Sequence, residues 1–382
     1  MKQRTFKLKE FAQDISVAVK DAQLSPLKRF VGLEHYDSNE PVITRFTDTS
    51  LLSSSVKEFN ENDILIARRN VYLRRAGIVF FSGLTSGDSI VLRIYNDCED
   101  RTGIPKDDAI RIIPFILNSN DFWAYANKHA DGMNSKRISK DMLYDYEFSL
   151  PPIEEQRILA DKLWAAYRLK ESYKKLLTAT QEMVKSQFIE MFGKGNWEQK
   201  SLGEVGTFKR GGGFQKSDYV EQGIPCIHYG QIHTKFGPFI YSHITEISSN
   251  LESKTKFAAK GDLIIAITSE DTEGSCKSTA WLGEYPVAVG GHAAIFHHCM
   301  NPVYMSFFFK SALFNYAKKE YVHGTKVCEI KPDDIAKIMV PYPPLSLQEE
   351  FFLIAQQADK SEFELRKSIE AIDQVIKSLI NN

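Results

Sequence analysis

One short motif occurs twice in the chain, and its repetition limits the possible folds more than any other feature. Residues 151–156 read PPIEEQ and residues 343–348 read PPLSLQ, so the two motifs lie 192 residues apart. With that offset kept, residues from about 112 to 188 align without a gap against residues from about 304 to 380. Such a long common register indicates an internal duplication. The identical pairs include Phe115 and Phe307, Gly132 and Gly324, Ile138 and Ile330, Asp141 and Asp333, Gln156 and Gln348, and Lys175 and Lys367.

Upstream of this well-kept region, the two halves match only in outline. Short apolar runs alternate there with Gly, Asp, Asn and Ser, which predicts two mixed α/β domains with many loops. We call residues 1–150 head one and residues 196–342 head two. The corresponding stretches are FNENDILIA (59–67) with FAAKGDLIIA (257–266), FVGLEHY (30–36) with CIHYGQI (226–232), and KLKEFAQDI (7–15) with KSLGEVGTF (200–208).

Each Pro-Pro pair opens a segment with the pattern of one long helix. Proline suits the first helical turn because its missing N–H would be unpaired there, and Glu154 and Glu155 lie where the helix dipole favours negative charge. A helix of about 40 residues runs roughly 55–60 Å. We interpret Gln156 and Gln348 as structural residues of the joint between head and helix.

Both segments have an apolar stripe with heptad spacing, which is more polar in the first helix. An antiparallel pair of helices would bury both stripes against each other and place one head at each end. The alternative is that each helix packs on its own head. The stripe consists of Tyr173, Leu177, Thr180, Val184 and Gln187 in the first helix, and of Leu365, Ile369, Ile372, Ile376 and Leu379 in the second.

These patterns together predict an α+β fold with internal pseudo-two-fold symmetry. Two mixed α/β domains are separated by two long antiparallel helices that form a coiled coil. The predicted divisions are the N-terminal head (1–150), the first spacer helix (151–195), the C-terminal head (196–342) and the second spacer helix (343–382).

The composition favours a soluble globular protein with two domains. Hydrophobic residues make up 43% of the 382 residues and charged residues 25%, and no apolar run is long enough for a membrane span. Five scattered cysteines without a C-x-x-C pair predict a reduced, cytoplasmic protein without disulfides or structural zinc. The formal net charge of −1 argues against a nucleic-acid binder that uses its whole surface, although it permits basic patches.

Nearly the whole chain resembles the specificity (S) subunits of type I restriction-modification systems. The resemblance includes the order of the elements, which is head, PPxxxQ helix, head and PPxxxQ helix. One departure from the family pattern is that head one has no obvious counterpart to the GIP run of head two. The motifs that support the resemblance are FVGLEHY (30–36), WEQKSLGEV (197–205), GIPCIHYGQI (223–232), GDLIIA (261–266) and HGTKVCEIKPDDIAKIMVPYPP (323–344).

The resemblance implies a sequence-specific DNA-binding subunit without catalytic activity. Each head would be a target recognition domain that reads one half of a bipartite, asymmetric site in double-stranded DNA. The helices would set the spacing and dock two methyltransferase subunits. It implies no cofactor in this chain, with S-adenosylmethionine and ATP belonging to partner subunits. It leaves open whether nuclease-translocase subunits also join the complex.

Head one offers two candidate DNA-binding stretches. The stretch ARRNVYLRRAG (67–77) supplies Arg68, Arg69, Arg74 and Arg75, and arginine can pair bidentately with guanine edges or phosphates. The alternative is a solvated charged loop. The loop GMNSKR supplies Asn134, Lys136 and Arg137, and its repeat counterpart GTKV supplies Lys326. This loop either contacts the DNA backbone or is a structural turn between two elements.

Head two offers two further stretches. In FKRGGGFQKSDY (208–219), three glycines would let a backbone approach a phosphate beside basic residues, although the P-loop pattern is absent and a flexible hairpin is the alternative. In IPCIHYGQI (224–232), polar residues follow a strand, and glutamine could read adenine. The candidates are Lys209, Arg210 and Lys216 in the first stretch, and His228, Tyr229 and Gln231 in the second.

Two other classes of function compete with a DNA-binding subunit. A DNA-modifying enzyme is suggested by NPVY (301–304), which is similar to the NPPY box of adenine methyltransferases, and by the Asp333–Asp334 pair. However, we expect Asn301 to cap a helix and the two aspartates to begin one. The other rival is a non-catalytic coiled-coil scaffold with two ligand-binding heads, which the near-neutral net charge permits.

Overall fold

The computed structural model describes residues 3–22, 24–50, 56–133, 135–324 and 327–381. The chain divides into two compact units, Met1–Lys174 with Lys367–Asn382, and Lys175–Arg366. We call them the N-terminal unit and the C-terminal unit. Each unit contains one head together with parts of both long helices, whereas the sequence-based division set the helices apart from the heads. That division stays a prediction.

The N-terminal unit contains two larger sheets and a two-stranded ribbon. In the five-stranded sheet, Arg29–Val31 and Gly83–Ser86 pair in parallel, and the other pairings are antiparallel. The ribbon pairs Arg4–Lys7 with Glu147–Leu150. The four-stranded sheet has the order Ala12–Asp14, Ser89–Ile94, Ile64–Ala67 and Ala76–Ile78; the five-stranded sheet has the order Ala18–Val19, Val56–Phe59, Gly83–Ser86, Arg29–Val31 and Thr47–Asp48.

The C-terminal unit repeats this arrangement. The same parallel pair recurs between Ile224–Ile227 and Val287–Val289, and a ribbon pairs Gln199–Ser201 with Met339–Pro341. One five-stranded sheet has the order Gly206–Arg210, Ala293–His298, Leu263–Ala266, Ser278–Trp281 and Phe239–Ile240. The other has the order Tyr219–Val220, Thr245–Ile247, Ile224–Ile227, Val287–Val289 and Lys256–Ala258, and Thr268–Ser269 pairs with Cys328–Glu329. The duplicated topology confirms the repeat that the sequence predicts.

The helices also match between the units, down to their caps. Ser119 and Ser311, which are equivalent in the repeat, accept a hydrogen bond from the backbone N–H of Phe122 (3.1 Å) and Phe314 (3.2 Å), as serine does at helix starts. The N-terminal unit contains the helices Leu8–Phe11, Cys98–Thr102, Lys106–Ile116, Asn120–Lys128 and Lys140–Tyr144. The C-terminal unit contains Leu202–Val205, Tyr229–Thr234, Pro302–Phe308, Ala312–Ala317 and Pro332–Ile335.

Two long helices, Ile153–Phe192 and Leu345–Asn381, begin directly after the Pro-Pro pairs. In the C-terminal unit they run antiparallel. The rings of Phe188 and Phe351 lie 5.3 Å apart, and seven residues earlier on the first helix, Gln181 Nε2 donates to Glu362 Oε2 (2.9 Å), further along the second. In the N-terminal unit, the ends of both helices pack into the head's core through Leu163 and Ile376.

The predicted heptad stripe of the second helix is buried or half-buried along its length, with Ile376 the most buried member. The long helices also pack on the heads. Trp164 donates from Nε1 to Arg111 O (2.9 Å), and Phe192 lies 4.7 Å from the ring of Tyr304. The antiparallel pairing and the packing of helices on heads, which the sequence presented as alternatives, therefore occur together.

The Pro-Pro-x-x-x-Gln motif forms the same joint in both units. Gln156 Nε2 donates to Pro151 O (2.7 Å), and Gln348 Nε2 donates to Pro343 O (2.8 Å). Both glutamines are buried. The Gln348 amide also accepts from the backbone N–H of Asn301 (2.9 Å). Each glutamine therefore connects the first turn of its helix to the proline before that helix, in agreement with the interpretation of both as joint residues.

Candidate nucleic-acid interface

Three loops of head one converge at the end of the strand Ile64–Ala67. They are residues 68–75, the turn at residues 87–88 that joins the strands Gly83–Ser86 and Ser89–Ile94 of two different sheets, and residues 131–137. Backbone hydrogen bonds join the first loop to the third, from Asn70 N to Lys136 O (2.8 Å) and from Ile138 N to Arg68 O (3.1 Å), and Arg69 and Arg137 form an isolated β-bridge. The structure thus brings together the two basic stretches that the sequence identifies separately. We call this place the bridge site of head one.

The carboxylate of Asp88 lies next to two arginines of this bridge site. Asp88 accepts a hydrogen bond from a terminal nitrogen of Arg69 (3.1 Å), and a terminal nitrogen of Arg137 lies 3.8 Å from its other oxygen. Arg69 Nε also donates to Ser135 Oγ (3.3 Å). Arg68 is half-buried and Lys136 is exposed. The basic residues Arg68, Arg69, Lys136 and Arg137 therefore outnumber the acids Asp88 and Asp131 here, which gives the bridge site a positive balance.

Arg74 and Arg75 follow in the same loop but differ from each other. Arg75 donates to the backbone oxygens of Leu33 (2.9 Å) and Arg69 (3.2 Å), and burial lowers its pKa from the ordinary arginine value. Arg74 contacts Asn120 Oδ1 (3.1 Å) at an exposed position. The Arg75 guanidinium thus already holds the loop together, and Arg74 is the more accessible of the two for a ligand.

The loop at residues 131–137 depends on a glycine. Gly132 has φ +118°, and a Cβ there would lie 2.7 Å from Ser135 O, so a side chain would clash as well as strain the backbone. Its repeat counterpart Gly324 has φ +103° and the same close contact, with Val327 O. This explains the identity of the two glycines. Asn134 and Lys326, both predicted DNA contacts, lie outside the described residues.

Head two has a bridge site at the equivalent place with different side chains. There Thr268 pairs with Glu329, where head one pairs Arg69 with Arg137. Arg210 reaches Glu329 Oε1 (3.1 Å) and donates to Gly291 O (2.9 Å). The loop before Lys277 contains Glu270, Asp271 and Glu273. The two heads therefore present different charged side chains at one topological position.

Two of the three glycines beside Arg210 serve the packing of the sheet. A Cβ on Gly211 would lie 2.3 Å from Gly290 O, and one on Gly212 would lie 2.8 Å from Lys254 O. Gly213 faces open space. Two of the three glycines thus accommodate neighbouring backbone, which explains them without a phosphate. Lys209 is exposed, and Lys216 begins a short 3₁₀ turn, Lys216–Asp218.

The predicted contacts of the IPCIHYGQI stretch lie at a helix start. His228 Nδ1 accepts from Gly230 N (3.2 Å). Gln231 Oε1 accepts from His228 N (2.9 Å) and its Nε2 donates to Thr245 Oγ1 (2.9 Å). A role for Gln231 in reading adenine therefore competes with two internal hydrogen bonds. The ring of Tyr229 lies 5.1 Å from His292, beside the Gly291 carbonyl that Arg210 contacts.

The sequence features that suggest an enzyme have structural roles. Asn301 Oδ1 accepts from the N–H groups of Val303 (2.9 Å) and Tyr304 (3.1 Å), which makes it a helix cap, and Tyr304 is buried. Asp333 and Asp334 lie in the first turn of a short helix, as predicted. In the part of the chain that the structure describes, no group of three or more His, Cys, Asp or Glu side chains could hold a metal ion.

Asp88 and Glu329 are the bridge-site residues that the sequence does not single out. A signal for Asp88 exists, because Gly87–Asp88 separates two β-type runs as a two-residue hairpin turn does. Its contact with arginines from two other loops has no local signature.

Among the described residues, no helix combines the length and apolar character needed to cross a membrane.

Comparison with known proteins gives consistent results for sequence and fold. Residues 194–374 match the family described as type I restriction modification DNA specificity domain. The specificity subunit of the type I restriction enzyme MjaVIII from Methanocaldococcus jannaschii is 21% identical, over 84% of this chain and 78% of that protein.

Two solved structures share the fold at low sequence identity. One is the S subunit of a type I restriction-modification system from M. genitalium, with a TM-score of 0.56, 14% identity, and coverage of 100% of this chain and 96% of that chain. The other comes from a study of assembly and conformational transition in the type I R-M system, with a TM-score of 0.55, 16% identity, and coverage of 99% and 96%.

The structure therefore combines duplicated heads, paired long helices and bridge sites that carry different side chains at one position. Residues 194–374 match the DNA specificity domain of type I restriction-modification systems, and most of the chain is similar to a specificity subunit of such a system. Specificity subunits recognise DNA and are not themselves catalytic, which agrees with the structural roles of Asn301, Asp333 and Asp334.

Proposed function

We propose that each head reads one half of a bipartite, asymmetric DNA site, and that the two long helices set the spacing and dock two methyltransferase subunits. The observation that supports two different half-sites is the pair of bridge sites. The same backbone pairing presents Arg69 and Arg137 in head one but Thr268 and Glu329 in head two. Two heads that share one backbone arrangement but carry different side chains are suited to a DNA site whose two halves differ in sequence.

The proposed spacing rests on how firmly the long helices are attached. In the N-terminal unit, Arg157 makes two hydrogen bonds to Asp108 (3.0 and 2.9 Å), and the ring of Trp164 lies 5.2 Å from that of Phe115. In the C-terminal unit, Phe188 packs on Tyr304 at 5.6 Å. Dimeric readers place their heads about one DNA turn apart, on the order of 34–36 Å, or a multiple of it. The packing of each long helix on the head of its own unit supports this part of the proposal.

The proposed docking surface is the apolar part of the long helices that stays exposed. Leu169, Leu176 and Met183 follow each other at intervals of seven residues on the first helix and are about half exposed. On the second helix, Val375 is the repeat counterpart of Met183 and is 51% exposed, against 46% for Met183. Exposed apolar residues in a row mark interaction surfaces. Of the three, Met183 has an apolar counterpart in the repeat, and this exposed pair fits the docking of two methyltransferase subunits.

In this proposal, the methyltransferase subunits bind S-adenosylmethionine, and a nuclease-translocase subunit, where one joins, uses ATP. This chain supplies recognition and assembly. Because its DNA target is chromosomal or invading DNA, we place it in the cytoplasm.

The deciding experiment is methylome sequencing of the host with and without this gene. We expect a bipartite adenine-methylated motif that is lost on deletion and restored by the intact gene. A motif that persists after deletion, or one that is contiguous, would contradict the proposal. The scaffold alternative, which the near-neutral net charge permits, predicts an unchanged methylome.

Docking can be tested with matched variants on the two helices. Met183→Glu and Val375→Glu should each leave a complex with one methyltransferase subunit, and the double variant a complex with none, as measured by native mass spectrometry. Glu182→Gln, an exposed neighbour of Met183, serves as the control and should retain two. Retention of both subunits by the double variant would show that docking occurs elsewhere.

A further inference from the structure

We propose that Asp88 positions Arg69 and Arg137 so that these two arginines read a guanine in the half-site bound by head one. This inference rests on the proposed function. It assigns a positioning role to a carboxylate and a base class to one half of the DNA site.

The first support is the rigidity of Asp88. It lies in the two-residue turn between the strands Gly83–Ser86 and Ser89–Ile94. Its backbone N–H donates to Ser86 Oγ (3.2 Å), and its backbone oxygen accepts from Arg68 N (3.0 Å). The backbone of Asp88 is therefore held between strands of two different sheets, with Ser86 paired to Val56 and Ser89 paired to Ala67, and by the neighbouring loop, which gives its side chain a fixed base.

The second support is the way the two arginines meet this carboxylate. Arg69 uses its Nε for Ser135 and one terminal nitrogen for Asp88, which fixes the plane of the guanidinium. Only two of its five N–H donors are engaged in these bonds. Arg137 approaches the other oxygen of Asp88 from the third loop. The two arginine side chains remain 40% and 43% exposed, and Asp88 is 27% exposed, so a ligand can reach all three.

The third support is the chemistry of this combination. Arginine only donates hydrogen bonds, so its ligand must offer acceptors, either the O6 and N7 of guanine or the oxygens of a phosphate. A carboxylate next to the two arginines repels the full negative charge of a phosphate more strongly than an uncharged base edge. The same carboxylate limits the rotamers of both arginines, which favours the bidentate geometry that guanine requires. The arrangement therefore fits a base better than the backbone.

The fourth support is that the fold does not need these residues. Head two builds the same bridge with Thr268 and Glu329, and its Arg210 is paired with Glu329. Since the backbone pairing forms with either set, Arg69, Arg137 and Asp88 are not required by the architecture. Their combination is explained by what head one binds.

The test compares the methylated motif of cells that express the intact complex with that of cells carrying Arg69→Ala, Arg137→Ala, Asp88→Asn or Asp88→Ala. We expect one half of the motif to lose its requirement for a G·C pair at one position. Discrimination should fall roughly ten-fold or more for the arginine variants, and by less for Asp88→Asn, which keeps one acceptor. Because Asp88 acts through the arginines, adding Asp88→Ala to the Arg69→Ala, Arg137→Ala double variant should have no further effect.

The outcomes separate the inference from the proposed function. Failure of the wild-type complex to methylate any bipartite motif would overturn the proposed function itself. A bipartite motif without a G·C pair in the half that responds to head-one variants would overturn only the inference. So would reduced methylation with an unchanged motif, which is the result for a phosphate contact. Arg101→Ala, at a similarly exposed arginine that pairs with Asp97 outside the bridge site, is the control and should leave both halves of the motif unchanged. Thermal unfolding of each purified variant tests for loss of fold.

Discussion

The contact between Lys170 and Asp373 in the N-terminal unit and that between Gln181 and Glu362 in the C-terminal unit are equivalent by the 192-residue repeat. In the first, Lys170 Nζ lies 2.5 Å from Asp373 and 2.6 Å from Glu40, and its side chain is almost fully buried. In the second, an uncharged amide meets one carboxylate. The duplication thus preserved where the helices touch, while the chemistry of the contact changed.

The bridge sites show the same pattern on the surface. Both heads pair the strand end with the glycine loop, yet head one places arginines there and head two places a threonine and a glutamate. Backbone pairing depends on peptide groups that every residue has, so it survives the exchange of side chains. The comparison indicates that the two halves of the repeat keep the position of a contact in the fold, whereas the side chains that make the contact differ.

The largest expected difference between the two helix contacts is in stability. Lys170→Met leaves the carboxylates of Glu40 and Asp373 without their buried partner, and should lower the free energy of unfolding by about 3–5 kcal/mol. Gln181→Met should cost about 1 kcal/mol, because it removes one partly exposed hydrogen bond. Denaturant unfolding measures both. Adding Glu40→Gln and Asp373→Asn to Lys170→Met should recover much of the loss, and equal losses for the two single variants would disprove the contrast.

A second difference concerns pH. His298 ends the strand Ala293–His298 where head one has Ile94. Burial lowers the pKa of His298 to about 4 from its ordinary 6.5, against the opposing effect of Asp262. The unfolded histidine takes up a proton near pH 6.5 but the folded one does not, so stability is lost as the pH falls from 6.5 towards 4. The slope should be at most about 1.4 kcal/mol per pH unit.

The isoleucine of head one provides the matched variant. Unfolding in denaturant across this pH range should show a flatter stability profile for His298→Ile than for the wild-type chain. An identical slope in both proteins would mean that other groups cause the acid sensitivity.

A third comparison separates two neighbouring arginines of one loop. Arg75→Ala leaves the carbonyl oxygens of Leu33 and Arg69 without their donor, and should cost about 2 kcal/mol of stability. Arg74→Ala removes an exposed contact and should cost under about 0.5 kcal/mol. Thermal unfolding distinguishes them. If Arg75→Ala altered the methylated motif while leaving stability intact, the structural role of Arg75 would be wrong.

The smallest expected difference lies at the two helix joints. Gln348→Ala removes hydrogen bonds to Pro343 and Asn301, and should cost about 2 kcal/mol, whereas Gln156→Ala removes the bond to Pro151 and should cost about 1 kcal/mol. Asn301 has no equivalent in head one, because Ala109 at that position donates within its own helix. Equal costs would show that the second bond of Gln348 adds nothing.

The sequence predicted the duplicated heads and the two long helices because these elements have local sequence signals. Repeated proline pairs, caps such as Ser119 and Ser311, and a heptad stripe each specify structure within a few residues. The resemblance to specificity subunits followed from the order of those elements. The individual DNA-contact residues stay predictions, and the structure shows why they were hard to choose. Arg75 and Gln231 look available in sequence, but their polar groups meet protein partners from distant segments.

The sequence by itself determined that the chain is duplicated, that each half has a head and a long helix, and that the joint glutamines are structural. Only the tertiary structure decided which loops meet. Arg69, Asp88 and Arg137 come from three stretches of head one and converge because the strands between them pair in one order. Strand pairing and helix packing depend on contacts between distant residues, and no local pattern records which distant residues those are. The sequence therefore shows which charged residues a bridge site contains, but it does not predict that these residues lie together in the fold.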